Sequence, residues 1–341
     1  MEKSVTIVIT PRDRYSQLAH CLEALYQCTD PAGFDLIVLN LGYPARDWRA
    51  ALGVLAGRDN YRLLEWGQVI PMEAMDRVRG HITTPYTVFM DNDTRVLPDW
   101  LPPLLETAGS RRAAVVYPVT LERAGVDQGA DIRCHLFTTE LRVLDVKGKP
   151  YLIEYKSHRR ALPEELPESV TESQAFELHC VMFDTLVLQS LELPRMTIRE
   201  HLDISLQLKV KGHRLFVDPR SRVIFDNLGT RANLADLRYF NLRWNPHITM
   251  QSSRLFERRW GYCFYSESAI YHWSSRRRLF LLMRWLFLPV SAANAIDRLL
   301  SAVRRRIRPV WDPVKDPEQQ ARGFYESLGG AAPLQLDHSV R

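Results

Sequence analysis

Short apolar runs alternate with segments of helical spacing over the first hundred residues of the chain. The runs are rich in β-branched side chains, which is typical of buried strands, and the segments between them predict helices. A sheet whose strands alternate with helices is mostly parallel and binds ligands beyond the carboxyl ends of its strands. The predicted strands are Val5–Thr10, Phe34–Asn40, Tyr61–Trp66 and Tyr86–Met90, and the predicted helices are Tyr15–Cys28 and Ala74–Ile82.

The pattern becomes less regular from about Ser110 to Pro194. Within this region the segment Lys147–Glu172 is rich in charge and proline, which predicts a surface excursion or mobile loop. Regular spacing returns near Arg199, where a predicted helix begins that ends at Gly212. A further strand is predicted at Leu215–Val217, so the chain returns to the sheet before its last third.

The chain changes character after about Asn227, where tryptophan and arginine residues recur in helical patterns. Nine arginines lie between Ser275 and Arg308, against the single acid Asp297. The apolar stretch Leu279–Val290 is too short for a membrane-spanning helix, which needs roughly 20 apolar residues. Two interpretations have equal weight: an amphipathic segment lying on an anionic membrane, or a helix packed on the rest of the protein. Nucleic-acid binding is not expected, because no known recognition module accompanies the charge.

Composition excludes two broad classes of protein. Hydrophobic residues make up 46% of the 341 positions, which is too many for a disordered chain. The formal net charge of +5 is too small for a histone-like protein. The five cysteines are scattered, without the close pairs of a disulfide framework or a structural zinc site. They favour a reducing compartment, and the chain opens on a strand rather than a cleaved signal, so we expect a cytoplasmic protein.

Two carboxylates, separated by one residue, directly follow the predicted strand Tyr86–Met90. Asp91 and Asp93 repel each other at the end of a buried strand unless a cation or hydrogen-bond donors compensate. Mg²⁺ and Mn²⁺ bind few protein carboxylates and complete their coordination with water and substrate phosphates. The pair is therefore a candidate metal site. The alternative, of equal weight from the spacing alone, is that Asp91 caps a turn and Asp93 is solvated.

A second group of polar residues opens the predicted helix near Arg199. Glu200, His201 and Asp203 could remove a proton from a substrate hydroxyl group or bind that group. The helix dipole also favours acids in a first turn, so a purely structural role has at least equal weight. Together, the two acidic motifs indicate a nucleotide-sugar site.

Five sequence blocks occur in order along the chain: Val5–Pro11, Tyr86–Asp93, Arg199–Leu206, Lys211–Leu215 and Asp218–Pro219. Their order and spacing resemble those of family 2 glycosyltransferases of the GT-A fold, over roughly residues 4–228. The resemblance implies an α/β fold: a Rossmann-like, mostly parallel sheet flanked by helices, with a helical, basic C-terminal extension. Residues 1–110 would form the nucleotide-sugar half, residues 111–230 the acceptor and catalytic half, and residues 231–341 the extension, a candidate membrane-associating region.

The resemblance implies a donor site at the Asp-x-Asp motif. Asp93 would be the direct ligand of a divalent metal, Mn²⁺ or Mg²⁺, and Asp91 would contact the metal or the ribose. The nucleotide base would lie against the loop after the first strand, with Asp76 nearby. That loop contributes Thr10, Pro11, Arg12 and Arg14.

Three positions depart from the family pattern. Asn40 stands where an aspartate usually contacts the base, so base recognition differs or relies on Asn40. Asp226 is the nearest substitute for a histidine that often completes the metal site. His201 stands where the catalytic aspartate is common, which leaves Glu200, His201 or Asp203 as the base, the last with Glu200 binding the acceptor. We favour Glu200 and Asp203 as the acids.

His179 and Cys180 lie where such enzymes build the floor of the acceptor site, although a buried strand that tolerates a histidine has equal weight. The resemblance implies a metal-dependent, inverting transfer from a nucleotide sugar, expected to be a UDP-sugar, to a hydroxyl of a glycan or lipid-linked acceptor. The expected setting is polysaccharide biosynthesis, with the enzyme peripheral on the inner face of the membrane.

Two other functions remain as alternatives. A nucleotidyltransferase is disfavoured, because Thr10–Arg14 lacks the glycines expected in its phosphate-binding loop. A catalytically silent, glycosyltransferase-like binding or scaffold protein is suggested by the departures at Asn40 and His201.

Overall fold

The computed structural model describes residues 3–123, 132–146, 148–225, 233–263 and 285–307, together with positions 275, 279, 282 and 283. The strands are β1 (Val5–Thr10), β2 (Phe34–Asn40), β3 (Tyr61–Glu65), β4 (Tyr86–Asp91), β5 (Thr94–Val96), β6 (Val115–Arg123), β7 (Ile132–Leu136), β8 (Thr139–Val146), β9 (Lys149–Lys156), β10 (Thr171–Ser173), β11 (Cys180–Asp184) and β12 (Leu215–Phe225). The helices are α1 (Leu18–Cys28), α2 (Ala45–Leu55), α3 (Pro71–Val78), α4 (Leu101–Arg111), α5 (Thr185–Gln189), α6 (Glu200–Val210), α7 (Leu234–Arg243), α8 (Pro246–Trp260) and α9 (Val290–Ile307). The predicted alternation of the first hundred residues is confirmed, with α2 as an additional helix.

A mostly parallel sheet forms the centre of the molecule. Its strand order is β10-β12-β6-β11-β4-β1-β2-β3, with β5 paired to β12 and β7 paired to β6. Strand β1 pairs in parallel with β2 and β4, whereas β11 lies antiparallel between β4 and β6. Strands β8 and β9 form a separate antiparallel hairpin. Because β1 and β4 are in register, their last residues, Thr10 and Asp91, lie side by side at one end of the sheet.

Both faces of the sheet are buried, which explains the continuous apolar runs in the sequence. Alternate side chains of β1 point to opposite faces, so Val8 belongs to one hydrophobic cluster and Ile7 and Ile9 belong to the other. Met75 of α3 packs in the first cluster, and Leu22 of α1 packs in the second. Helices therefore cover both faces, as the sequence predicts.

The structure corrects the prediction for the middle of the chain. Residues 110–194 contain strands β6 to β11 rather than a less regular region. The predicted loop Lys147–Glu172 contains β9, in which Glu154 pairs with His201 and Lys156 pairs with Glu177. The predicted boundary at residue 110 falls inside α4.

The segment from Arg199 to Phe225 follows its prediction more closely. Helix α6 begins at Glu200, and Gly212 follows its end with a φ of +74°, a left-handed conformation that glycine adopts without strain. The strand predicted at Leu215 extends to Phe225 and pairs with β6 along its length. Among the described residues, no helix combines the length and the apolar character needed to cross a membrane.

Candidate active site

The end of β4 presents three buried polar residues in succession, Asp91, Asn92 and Asp93. The Asn92 backbone N–H donates to the carbonyl oxygen of Thr10 at 2.9 Å. The Asn92 side chain accepts from the backbone N–H of Arg12 at 3.0 Å and donates to the carbonyl of Arg14 at 2.6 Å. Asn92 therefore fixes the loop after β1 beside the two carboxylates. Sequence reasoning missed this residue, although its position between two aspartates was a signal.

Asp93 is a buried carboxylate that lacks a described protein partner. It is 2% exposed, and neither of its oxygens accepts a hydrogen bond from any described residue. Burial, followed by the negative charge of Asp91, raises the pKa of Asp93 to about 7. Leaving a buried carboxylate unpaired is costly, and a cation bound beside it would remove much of that cost. The alternative of a solvated Asp93 is thus excluded by its burial.

Asp91 contacts two cationic side chains. Its Oδ2 lies 3.1 Å from Nδ1 of His179 and 3.4 Å from Nε of Arg12. The antiparallel pairing of β11 with β4 brings His179 to this position. Burial lowers the pKa of His179, but hydrogen bonds and charges of Asp91 and Glu177 outweigh burial and raise it to about 9. His179 is therefore a partner of the Asp-x-Asp motif.

Arg12 connects the two acidic motifs. Besides its contact to Asp91, its Nη1 lies 3.2 Å from Oε1 of Glu200, and Arg243 of α7 lies 3.9 Å from the same oxygen. The other oxygen, Oε2, is buried and accepts no hydrogen bond from the described part of the chain. Burial raises the pKa of Glu200, but the positive charges of Arg12, His201 and Arg243 outweigh burial and lower it. Glu200 is therefore ionised at neutral pH.

Asp203 lies in the contact between α6 and α8. It is completely buried, and its oxygens accept hydrogen bonds from Arg259 Nε at 2.8 Å, Trp260 Nε1 at 2.7 Å and Gln207 Nε2 at 2.7 Å. Both oxygens are engaged by these packing contacts. This geometry favours a structural role for Asp203 over the predicted role as a base.

His201 points to the β8–β9 hairpin. Its Nε2 lies 3.1 Å from Oε2 of Glu154 on β9. Burial raises the pKa of Glu154, but the adjacent His201 and then Lys156 outweigh burial and lower it to about 2. Arg199, just before α6, donates to the carbonyl oxygen of Leu152 at 3.1 Å and also ties the helix to β9. The hairpin therefore forms one wall beside the start of α6.

The loop after β1 is also held by α7, which sequence analysis assigned to the C-terminal extension. Tyr239 donates its hydroxyl to the carbonyl oxygen of Pro11 at 2.9 Å, and Arg243 pairs with Asp13. Trp244, which follows α7, donates to Asp13 at 2.9 Å. Sequence reasoning missed these residues, because contacts between such distant positions leave no local pattern.

Other predicted site residues have different surroundings. Asn40 lies at the end of β2 as predicted, but its Oδ1 accepts from two backbone N–H groups of the following turn, at 3.1 and 3.0 Å. Asp76 is exposed on α3 and pairs with Arg79 at 2.7 Å. Cys180 is buried in the core, where burial raises the pKa of its thiol, so a place on the acceptor floor is not supported. Asp226 lies outside the described residues.

A second group of ionisable side chains adjoins the first. Oε2 of Glu177 lies 2.8 Å from Nε2 of His135 and 3.1 Å from Nε2 of His179, and Lys156 pairs with Oε1. Nδ1 of His135 lies 2.9 Å from Glu122. Within the described residues, two sets of three side chains could each hold a metal ion: Asp91, Asp93 and His179, or His135, Glu177 and His179.

The carboxylates after β4 and the loop after β1 occur in the order that the sequence resemblance implies. Residues 6–158 match the family model described as glycosyl transferase family 2. This segment, a little under half of the chain, is therefore similar to family 2 glycosyltransferases. The match confirms the resemblance and the predicted enzyme class, that of the glycosyltransferases, over the segment from β1 past the end of β9. The acidic motif at the start of α6 lies beyond the matched segment.

Similar solved structures include two complexes, one with UDP and one with a UDP-sugar. GalNAc-T7, solved with UDP, GalNAc and Mn²⁺, aligns at 12% identity with a TM-score of 0.48, over 71% of this chain and 47% of that chain. TarS of S. aureus, residues 1–349 in complex with UDP-GlcNAc, aligns at 10% identity with a TM-score of 0.47, over 89% of this chain and 92% of that chain. The chain thus spans about half the length of GalNAc-T7. No curated protein sequence matches the chain.

Proposed function

We propose that the protein is a metal-dependent, inverting glycosyltransferase. It would move a sugar from a nucleotide sugar, with a UDP-sugar as the expected donor, to a hydroxyl group of a glycan or lipid-linked acceptor. The observation that carries the proposal is the buried pair Asp91 and Asp93, in which both Asp93 oxygens lack partners among the described residues. The family match over residues 6–158 supports the reaction class.

The donor site fits a hard divalent cation, Mn²⁺ or Mg²⁺. Asp91 and Asp93 offer oxygen ligands, and His179 orients Asp91 through Oδ2 before any ion binds. A cation bound there would neutralise negative charge that develops on the leaving diphosphate. The site fits a cation because the two Asp93 oxygens are buried without hydrogen-bond partners among the described residues, and a bound cation would stabilise them.

Arg12 supports binding of the diphosphate. Its guanidinium lies between Asp91 and Glu200, and a guanidinium matches the oxygen geometry of a phosphate. On donor entry, Arg12 can exchange its 3.4 Å contact to Asp91 for a phosphate oxygen and keep its contact to Glu200. The same side chain would then connect the leaving group with the base.

We assign Glu200 as the base that accepts the proton of the acceptor hydroxyl. It is ionised, Arg12 and Arg243 hold its Oε1, and its Oε2 is without a partner in the described structure. A base within hydrogen-bond reach activates the hydroxyl for attack on the anomeric carbon. Attack opposite the departing diphosphate inverts the configuration at that carbon. Asp203 holds α6 on α8, and His201 with Glu154 borders the acceptor side.

The C-terminal helix α9 supports a peripheral position on an anionic membrane. Its buried face carries small and polar residues, including Ala293, Asp297 and Ser301, so the apolar face points away from the protein. Charge adds to this argument, since nine arginines and one acid lie between positions 275 and 308. The exposed apolar residues of α9 are Ile296, Leu299, Val303 and Ile307.

Vesicle co-sedimentation tests the membrane proposal. We expect binding to vesicles that contain phosphatidylglycerol, little binding to pure phosphatidylcholine, and loss of binding in a Leu299→Ser, Val303→Ser double variant. A matched control replaces Leu186, an exposed leucine of α5, with serine. Concentration-dependent self-association without vesicle binding would instead assign the apolar face to a second copy of the chain.

Calorimetric binding of nucleotides tests the donor site. We expect UDP to bind in the presence of Mn²⁺, to bind weakly in EDTA, and to lose its metal dependence in Asp93→Asn. Asp76→Asn, which changes an exposed carboxylate, should bind like the wild type. GDP binding is measured in parallel to test which nucleotide base the site accepts. Failure of both nucleotides to bind with any metal would reject the donor site and favour the silent scaffold.

A further inference from the structure

A cluster of buried ionisable side chains adjoins the donor carboxylates, and of its two histidines only His179 has a role in the proposed donor site. His135 lies on β7, and Glu177 and His179 lie in the segment that leads into β11. Nε2 of His135 and Nε2 of His179 lie 2.8 and 3.1 Å from one carboxylate oxygen, Oε2 of Glu177. The three side chains are at most 16% exposed, so the point where they converge is shielded from bulk water.

The other ring nitrogen of each imidazole is already held by a carboxylate. Nδ1 of His135 lies 2.9 Å from Oε2 of Glu122, and Nδ1 of His179 lies 3.1 Å from Oδ2 of Asp91. Metal-binding histidines almost always donate their second N–H to a carboxylate, a carbonyl or water, which fixes the tautomer and the ring orientation. Both Nε2 atoms are directed at the same oxygen, Oε2 of Glu177, and a zinc ion bound there would displace the protons that the imidazoles donate to that oxygen.

We propose that His135, Glu177 and His179 form a second cation site, of a chemistry suited to Zn²⁺, beside the donor carboxylates. Two imidazole nitrogens and one carboxylate oxygen are zinc ligands, whereas Mg²⁺ and Ca²⁺ prefer oxygen alone. Neighbouring ligand atoms in a tetrahedral zinc site lie about 3.3 Å apart, given bonds of about 2.0–2.2 Å. The observed 2.8 and 3.1 Å would change by only a few tenths of an ångström. The scattered cysteines do not bear on this site, because no ligand is a thiol.

Lys156 does not pair with the Glu177 oxygen that the two histidines contact. It pairs with Oε1 of Glu177, so Oε2 remains directed at the two histidines. The carboxylates of Glu122 and Asp91 behind the rings offset the positive charge of the lysine and favour a cation. A zinc ion would hold His179 in place and, through Nδ1, the carboxylate of Asp91. The second site would thus position the donor site without entering the transfer reaction.

Zinc binding by the purified full-length protein tests the proposal. The metal-stripped protein is titrated with ZnCl₂ or MgCl₂ in a calorimeter, and bound zinc is measured by mass spectrometry after gel filtration. We expect one zinc per chain from this site, little response to magnesium at it, and at least a tenfold loss of zinc affinity in His135→Ala. His20→Ala removes an exposed histidine of α1 and should bind zinc like the wild type. Asp93→Asn should keep this site, which separates it from the donor metal.

A second variant and a fold control keep the test decisive. Glu177→Gln preserves side-chain size and should also lose zinc, and circular dichroism melts identify any variant that fails to fold. Zinc affinity that is equal in the wild type, His135→Ala and Glu177→Gln would overturn the proposal, as would a wild type that binds no zinc at micromolar concentrations. The cluster would then be a hydrogen-bonded ion network. UDP binding with Mn²⁺ in the same samples reports separately on the proposed function.

Discussion

Two aspartates with nearly equal burial, Asp93 and Asp203, have opposite surroundings. Asp93, after β4, has no hydrogen-bond partner among the described residues, whereas Asp203 of α6 accepts hydrogen bonds from Arg259, Trp260 and Gln207. A buried carboxylate without a partner is costly, and a paired one holds its partners in place. Asp93 is suited to receive a cation, and Asp203 joins two helices. Burial alone therefore does not identify a functional acid.

The largest expected effect follows removal of the unpaired acid. Asp93→Asn should lower the rate of sugar transfer by about 10³-fold or more, because the metal contribution to transition-state stabilisation is several kcal/mol. Steady-state transfer from the nucleotide sugar measures it. Asp76→Asn serves as the control, since its carboxylate is exposed and pairs only with Arg79 among the described contacts. Full activity of Asp93→Asn at saturating metal would contradict the assignment.

Glu200 resembles Asp93, because its Oε2 is buried and has no hydrogen-bond partner among the described residues. The comparison of Asp93 with Asp203 therefore predicts a functional role for Glu200 too. Glu200→Gln should lower kcat by about 10²–10³-fold through loss of the base and leave UDP affinity within about threefold. His201→Gln is the matched variant at the neighbouring position. A larger loss of kcat in His201→Gln than in Glu200→Gln would move the base to His201.

Asp203 should behave in the opposite way. Asp203→Asn breaks a buried ion pair with Arg259, so the free energy of unfolding should fall by about 3 kcal/mol, while folded protein keeps most of its kcat. Urea denaturation measures the free energy of unfolding, and the transfer rate per mole of folded protein measures kcat. Asp35→Asn, which breaks a surface contact with Lys3, should change stability by less than about 1 kcal/mol. A stable but inactive Asp203→Asn would show that the comparison is wrong.

The smallest effect is a pH dependence of stability in the metal-free protein. The pKa of Asp93 is raised to about 7 in the folded state from an ordinary value of about 4. Folding therefore favours the protonated form of Asp93. The contribution of this proton to the free energy of unfolding is complete below about pH 4 and is lost as the pH rises through about 7. In EDTA, the wild type should lose about 2 kcal/mol relative to Asp93→Asn between pH 5 and pH 8. Urea denaturation across that range checks it, and parallel curves for the two proteins would refute it.

The first four strands and the acidic motif after β4 could be predicted from the sequence because their signals are local. Strands β1, β2 and β4 are apolar runs, and their hydrogen-bonding partners follow from a parallel β-α-β order. Asp91 and Asp93 could be found because they directly follow such a run. The family resemblance then predicted the reaction class, which the match over residues 6–158 bears out.

The rest of the site could not be predicted, because its partners come from distant strands. Nothing near Glu177 in the sequence indicates that His135 and Lys156 contact it. Strand β9 looked like a loop because it is rich in charge, although two of its charged residues, Glu154 and Lys156, have ion-pair partners. Asp203 resembled a catalytic acid for the same reason, since its partner Arg259 lies two helices later in the chain, on α8. Polar residues in the core carry no periodic signal that separates them from solvated ones.

The contacts between α7 and the loop after β1 restrict which substitutions the sequence can accept. Tyr239 and Pro11 are 228 positions apart, and Arg243 and Asp13 are 230 apart, yet each pair is in direct contact. Substitutions at one member of a pair are therefore constrained by the other, so related sequences should show correlated changes between positions 13 and 243. Recombination that joins residues 1–158 to the second half of another enzyme would separate these partners and leave the nucleotide loop unsupported.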